Sequence, residues 1–318
     1  YKRPERAPAP SSAIAVVGAV CRVPGASDVT TLSTALESEG EFLSDVDEEQ
    51  LDWLTDRPSN ECVSTNRIGK IEPFDFDFLR FKIFPKAISQ IAPTQILGLD
   101  LADRLLSEAG YSFADKKNIA VSLGAMHDDN FATVFLPMLA GEYESSVEAC
   151  SATASLDQTL LAQALKAASD GLKAQCAPVT EHTLPGMMTN IISGRIANKL
   201  NLVGPNFTVD VACASGIASL LPSMYQLMFK RTDAVISGGL NRRLTEPLAI
   251  GATAFGDLDS KVTDSLDGRT GTLVPGEGGV LYLLQRLEDA ERDHRKIHAV
   301  IDAVGGRSDM VQPMPAPT

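Results

Sequence analysis

Phe207-Thr208-Val209-Asp210-Val211-Ala212 is an apolar run that ends at Cys213, and Ala214-Ser215-Gly216-Ile217 opens a helix-forming stretch directly behind it. Strand, thiol, helix is the order on which the reading of the whole chain depends. A thiol at a helix start meets unsatisfied N–H groups and the positive end of the helix dipole, and both favour the thiolate. The thiolate is the form that attacks carbonyl carbon. The segment therefore reads as a mount for a nucleophile.

Outward from Cys213, short β-rich runs alternate with helical ones. The pattern predicts strands at Ala13–Gly18, Asn118–Gly124, Phe207–Ala212, Ala234–Gly239, Gly279–Leu284 and Ile297–Gly305. These runs are nearly continuous in apolar residues, as in strands covered on both faces. Helices are predicted at Gln95–Gly110, Leu156–Ala174, Pro185–Leu200 and Ser215–Arg231, with a charged helical turn at Leu287–Asp293. The Ser215–Arg231 stretch carries Ile217, Leu220, Leu221, Met224, Leu227 and Met228, with Ala214 and Ala218 on its other faces. It is apolar around most of its girth, which predicts a central, buried helix. The β-α-β-α-β-α-β-β order predicts an α/β fold, a mostly parallel or mixed sheet covered by helices. No repeat is visible at a period of 20 to 50 residues.

Residues 1–12 have linker composition, residues 13–310 form the folded region, and 311–318 read as a truncated tail, so the chain is expected to be cut from a longer one. With 318 residues, 44% hydrophobic and 22% charged, the chain is long enough for one large core or two modest ones. A net charge of -13 argues against a general nucleic-acid surface, which needs a basic stripe. Nine acids and no base lie between Glu37 and Asp56, and they read as a solvated surface. Five cysteines, an odd number without a C-x-x-C pair, fit reduced thiols in a cytoplasmic compartment rather than a disulfide framework or a zinc site. No run reaches the ~18 apolar residues of a membrane span. The apolar stretch Ala13–Cys21 behind Lys2, Arg3 and Arg6 resembles a signal sequence, but prolines interrupt its approach and it runs into a Pro24-Gly25 turn, as a buried strand does.

Val209-Asp-Val-Ala-Cys-Ala-Ser-Gly216 resembles the nucleophile motif of β-ketoacyl synthases, the condensing domains of polyketide and fatty-acid synthases. Ile14-Ala-Val-Val-Gly-Ala-Val-Cys-Arg-Val-Pro-Gly25 is similar to that family's first strand and turn. Further matches run in the family's order: Phe74-Asp-Phe-Asp77, Pro93–Asp100 leading to Glu108-Ala-Gly-Tyr111, Gly194–Leu200 with Gly204-Pro205, Ser237-Gly-Gly239, Gly276-Glu-Gly-Gly279, and Arg286–Ala290. Asn190–Asn198 resembles the subtype found in polyunsaturated fatty acid synthases. The likeness spans residue 13 to about 310, and its strength lies in six or more motifs in register.

The resemblance implies a thiolase-type fold, of which the chain supplies the first βαβαβαββ half. It implies that Cys213 accepts an acyl chain from a phosphopantetheine thioester delivered by an acyl carrier protein, with no cofactor or metal bound. That chain would then condense with a decarboxylated malonyl unit. The Cys213 N–H would be one of two oxyanion donors. Met187 and Met188 would line the acyl pocket, polarizable side chains suited to an alkyl chain, and Phe255 matches a phenylalanine near the acyl channel. A homodimer and neighbouring synthase domains are the implied partners.

The family's decarboxylating histidines and lysine lie in the second half of its domain. His127, His182, His294 and His298 occupy none of its histidine motifs. A lone half would leave a large apolar helical face wet, so a second half or another subunit is expected to cover it. A catalytically silent ketosynthase-like scaffold or dimerisation module is the alternative, and a thiolase or priming enzyme of the same fold a more distant one. Against these, a retained cysteine favours the enzyme. His127-Asp128-Asp129 reads as exposed loop charge, His182 beside Glu181 as surface or packing, and Gly276-Glu-Gly-Gly279 as a tight turn rather than a phosphate loop, since no Lys-Ser/Thr follows.

Overall fold

A computed structural model describes residues 13–38, 42–45, 67–111, 117–126, 141–150, 155–175, 179–242 and 275–306. They fall into two compact units. One is drawn from Tyr1–Phe76, Pro93–Met126 and Ile192–Thr318, the other from Asp77–Ala92 and His127–Ile191.

The first unit is built on a sheet that, among the described residues, has six strands. In chain order these are β1 (Ile14–Arg22), β4 (Ile119–Gly124), β5 (Asn206–Val209), β6 (Ala234–Asn241), β7 (Gly278–Arg286) and β8 (Ala299–Ile301). Two short strands, β2 (Ser44–Asp45) and β3 (Arg67–Ile68), make a separate antiparallel ribbon. The spatial order is β5-β4-β6-β7-β1-β8. Pairing of β4 with β5 and with β6 is parallel, whereas β6–β7, β7–β1 and β1–β8 are antiparallel. The sheet is therefore mixed, with its parallel portion on the side that carries Cys213.

Helices cover both faces. The Pro93–Glu108 helix packs against β1, β6 and β7, where Leu97 and Leu101 meet Gly279 and Leu105 meets Gly18. On the other face, Met224 and Leu227 of the Leu220–Met228 helix join Ile14, Val16, Ala120, Val235 and Leu284 in one buried cluster. Every residue of β4 is buried, as its unbroken apolar run requires between two helical layers.

Boundaries moved in instructive ways. The strand expected at Phe207–Ala212 stops at Val209, because Ala212 takes a positive φ of 53° that no strand tolerates. The Pro185–Leu200 helix is two, Thr183–Met187 and Ile191–Lys199, separated where Met188 is extended. The Ser215–Arg231 helix is broken at Ser219 into Ser215–Ala218 and Leu220–Met228. Pro222 explains the break, since it has no N–H for the Ala218 carbonyl and its ring crowds that group.

This pair of helices also corrects the expectation of a fully buried element. Ser215, Ser219 and Ser223 face the sheet, buried, together with Met224 and Leu227. Ile217, Leu221, Tyr225 and Phe229 are exposed, Ile217 and Phe229 by nearly 70%. The reason is distance. Small side chains let the helix start lie almost on the backbone of β4 and β6, and the larger apolar ones are left pointing away.

In the second unit, the Pro85–Ile88 and Thr183–Met187 helices are tied by the Ala92 N–H to Gly186 carbonyl bond of 3.0 Å and by Thr183 Oγ1 donating to Gln90 Oε1. The Gln158–Gln175 helix belongs to the same unit. No described helix is long and apolar enough to cross a membrane.

Candidate active site

β5 delivers the chain to the cleft, and a tight elbow turns it back. Asp210 Oδ1 accepts the Ala212 N–H at 3.1 Å. Ser215 Oγ accepts the Val211 N–H at 2.8 Å and donates to the Ala212 carbonyl at 2.6 Å, so one hydroxyl grips the peptide chain on both sides of the bend. The Ser215 N–H reaches the same carbonyl at 3.0 Å. Held this way, Ala212 adopts the left-handed conformation that costs an L-residue about 1–2 kcal/mol. Cys213 follows at the outside of the bend, and its side chain is exposed.

Two glycines seat the elbow on the sheet. A Cβ on Gly124, the last residue of β4, would stand 2.2 Å from the backbone of Ser215. One on Gly239 would meet the Gly216 Cα at 3.0 Å. Below them runs a buried hydroxyl ladder. Ser122 Oγ donates to the Ser219 carbonyl at 2.9 Å, Ser223 Oγ donates to the same carbonyl at 2.7 Å, and Ser237 Oγ lies 3.0 Å from the hydroxyls of both Ser219 and Ser223. The ladder satisfies polar groups that would otherwise cost the fold where helix and sheet approach too closely for larger side chains.

Cys213 lines an open cleft of about 450 Å³. Its walls are the carboxyl ends of β4 and β6, the elbow, and the turn at Gly276 and Glu277 with the first residues of β7, Gly278 to Val280. Ligands of open α/β sheets gather at the carboxyl ends of parallel strands, and this cleft occupies that position. The wall opposite is braced by Glu277. Its carboxylate pairs with Arg242 at 2.5 Å and accepts the Ile71 N–H at 3.4 Å, while Asn241 Nδ2 holds the Gly276 carbonyl at 2.8 Å. Burial pushes the Glu277 carboxyl above its ordinary value, with Arg242 pulling the other way.

The far end of the same helical segment is locked. Arg286 donates to the carbonyls of Leu227 at 3.1 Å and Thr232 at 2.7 Å, and its guanidinium is held by Asp289. Burial alone would raise the Asp289 carboxyl. Hydrogen bonds and charge from Arg286 and Arg292 outweigh it and hold the group below its ordinary value.

Of the catalytic and acyl-binding residues singled out from the sequence, Cys213 is the one among the described residues that lines the cleft. Met187, buried, and Met188, partly exposed, belong to the second unit, and Phe255 lies outside the described residues, as does His127. No described histidine lines the cleft. His182 starts the Thr183–Met187 helix and sits 3.7 Å from Glu181, and the His298 N–H donates to the Val16 carbonyl. Among the described residues no group of three His, Cys, Asp or Glu side chains could hold a metal ion. Sequence reasoning missed Ser215, Gly124 and the Arg242–Glu277 brace. The Cys-Ala-Ser-Gly spacing was a usable signal for Ser215; nothing local announced the other two.

Residues 11–290 match the family model described as "Beta-ketoacyl synthase, N-terminal domain". A polyunsaturated fatty acid synthase polypeptide of Thraustochytrium sp. is 26% identical over 311 residues, covering 93% of this chain and 10% of that protein. The 5-methylorsellinic acid synthase of Aspergillus terreus is also 26% identical, over 97% of this chain and 10% of its own length. Among solved structures, the ketosynthase from module 6 of the bacillaene synthase of Bacillus subtilis superposes with a TM-score of 0.67 at 24% identity, across 91% of this chain and 42% of that one. The chain thus spans about a tenth of the curated relatives it matches and under half of the solved ketosynthase. Its mixed sheet with helices on both faces is the α/β arrangement of those thiolase-fold domains. With the match running through the elbow, the cleft turn and the Arg286 lock alike, this chain belongs to the β-ketoacyl synthase family and carries its N-terminal domain.

Proposed function

We propose that this chain supplies the acyl-accepting site of a ketosynthase domain in a multidomain polyketide or polyunsaturated-fatty-acid synthase. The observation that carries the reading is Cys213 itself, exposed on a strained elbow at the mouth of a cleft at the strand ends. An acyl chain arrives as a phosphopantetheine thioester on an acyl carrier protein. Cys213 sulfur attacks the thioester carbonyl, and the Cys213 N–H steadies the developing oxyanion. Collapse of that intermediate expels the carrier's thiolate, which takes up a proton, and leaves the acyl group on Cys213.

Condensation completes the reaction. A malonyl thioester loses carbon dioxide, and the carbanion so formed attacks the acyl carbonyl. A carbon–carbon bond forms as Cys213 thiolate departs, giving a β-ketoacyl thioester on the carrier. No described histidine stands at the cleft to assist the decarboxylation, so that step is assigned to residues outside the described cleft. Met187, Met188 and Phe255 are proposed to line the acyl channel. The exposed stripe Ile217, Leu221, Tyr225 and Phe229 supports a covering partner, either a second ketosynthase half or another subunit, in a homodimeric synthase. The free thiols Cys21 and Cys213 support a reducing, cytoplasmic setting.

Incubation of the full chain with an acyl-pantetheine thioester, followed by peptide mass mapping, tests the reading. Acyl mass is expected on the Cys213 peptide and on no other. If iodoacetamide labels Cys213 while the thioester leaves it unmodified, the silent-scaffold alternative replaces the enzyme.

A further inference from the structure

We infer that Ser215 is a positioning residue for the cysteine it follows: its hydroxyl is the catch that keeps the elbow sprung and Cys213 aimed into the cleft. The inference deepens the reading of Cys213 as acyl acceptor and takes its functional meaning from it. Three observations carry it. Ala212 is held at φ 53°, a conformation it would leave if free, because only glycine enters that region without cost. The Ser215 hydroxyl is bonded on both sides of that residue, accepting from Val211 and donating to the Ala212 carbonyl, and Ser215 is itself buried. The hydroxyl is committed to the elbow: it is not one of the ladder formed by Ser122, Ser219, Ser223 and Ser237.

A hydroxyl serving only to start a helix would bond forward, to an N–H of the first helical turn. The Ser215 hydroxyl bonds backward, to the two residues before Cys213. Gly124 and Gly239 let the helix start lie against the sheet, and the bonds of Ser219 to Ser122, Ser237 and the Gly238 carbonyl hold it there, so strain at Ala212 is not relieved by lifting the helix off the sheet. Released from Ser215, the chain has one place left to relax, the Ala212–Cys213 peptide. Turning that peptide redirects both the Cys213 side chain and its N–H.

The test is a cycle of Ser215→Ala, Ala212→Gly and the double variant in the full chain. Thermal stability and the rate of Cys213 alkylation by iodoacetamide are read together, and exposed Cys150 in the same sample gives the reference rate. Ser215→Ala is expected to lower Tm and to slow Cys213 alkylation about fivefold relative to Cys150. Ala212→Gly removes the need for the catch. It is expected to restore at least half of both losses in the Ser215→Ala background, and in the parent to raise Tm by less than it does there and to leave the rate unchanged. Equal effects of Ala212→Gly in the two backgrounds, or an unchanged Cys213:Cys150 ratio in Ser215→Ala, overturn the inference and leave Ser215 as ordinary packing. Neither readout requires a thioester, so the outcome is independent of whether the parent chain accepts an acyl group.

Discussion

The two ends of the helical segment Ser215–Met228 are held by opposite means. At the amino end the chain is strained, glycine-seated and topped by an exposed thiol. At the carboxyl end it is neutralised and bonded, with the Arg286 guanidinium taking two carbonyls and a carboxylate. Cations suit that end, where helix carbonyls lack partners. The difference teaches how one element serves two purposes. Stability is concentrated where there is no chemistry, so that strain can be tolerated where chemistry is to happen.

Variants can sharpen or break that division. The largest effect is expected from Cys213→Ala, which should abolish thioester acylation completely while shifting stability by no more than about 0.5 kcal/mol, as for other exposed positions. A large loss of Tm would mean the thiol is structural after all. Next is Arg286→Ala, expected to cost about 3 kcal/mol because it leaves Asp289 short of a partner and takes a charged donor from the Leu227 and Thr232 carbonyls. Denaturant unfolding measures it, and the Cys213 alkylation rate per folded molecule should not move. If it does, the two ends are coupled and the division fails.

Gly124→Ala is expected to cost about 2 kcal/mol, since its Cβ must displace the Ser215 backbone, and to change Cys213 alkylation severalfold. A silent substitution would show that the helix start is loosely seated. The acid limb tests the far end again. Asp289 has a lowered folded value, so its contribution is present above the ordinary carboxylate range and is lost as pH falls through and below it. Arg286→Ala should flatten that limb in Tm against pH, and an unaltered slope would remove Asp289 from the account. The smallest effect is expected at Phe229→Ser on the exposed stripe, within about 0.5 kcal/mol for the chain alone. A cost above about 2 kcal/mol would mean the stripe is already covered.

Much of this fold was legible because apolar runs and their spacing record burial directly. β4 and β6 appear within a few residues of where their sequences place them. The thiol at the strand–helix join was legible too, since it follows from order alone. The orientation of the Ser215–Met228 segment was not. Its apolar residues run around most of its girth and mark no face, and the close approach allowed by Gly124, Gly216 and Gly239 turns the serines inward with Met224 and Leu227 and leaves Ile217, Leu221, Tyr225 and Phe229 outside. Gly124 and Gly239 lie outside the segment in sequence, so no local pattern could announce their part in it. Nor could it announce the Arg242–Glu277 brace, which joins residues either side of a long connection.

The place of β1 in the sheet sets a schedule for biosynthesis. Among the described residues Ile14 pairs with Arg286 and Ile301, so β1 is synthesised well before β7 and β8, the two strands that close its edges. At translation speeds of about 5–20 residues per second the delay is on the order of tens of seconds. Throughout it an apolar strand with two open edges is available to the wrong neighbour. Among the described strands of the sheet, β1 is the one that spans the longest stretch of chain before it meets its neighbours.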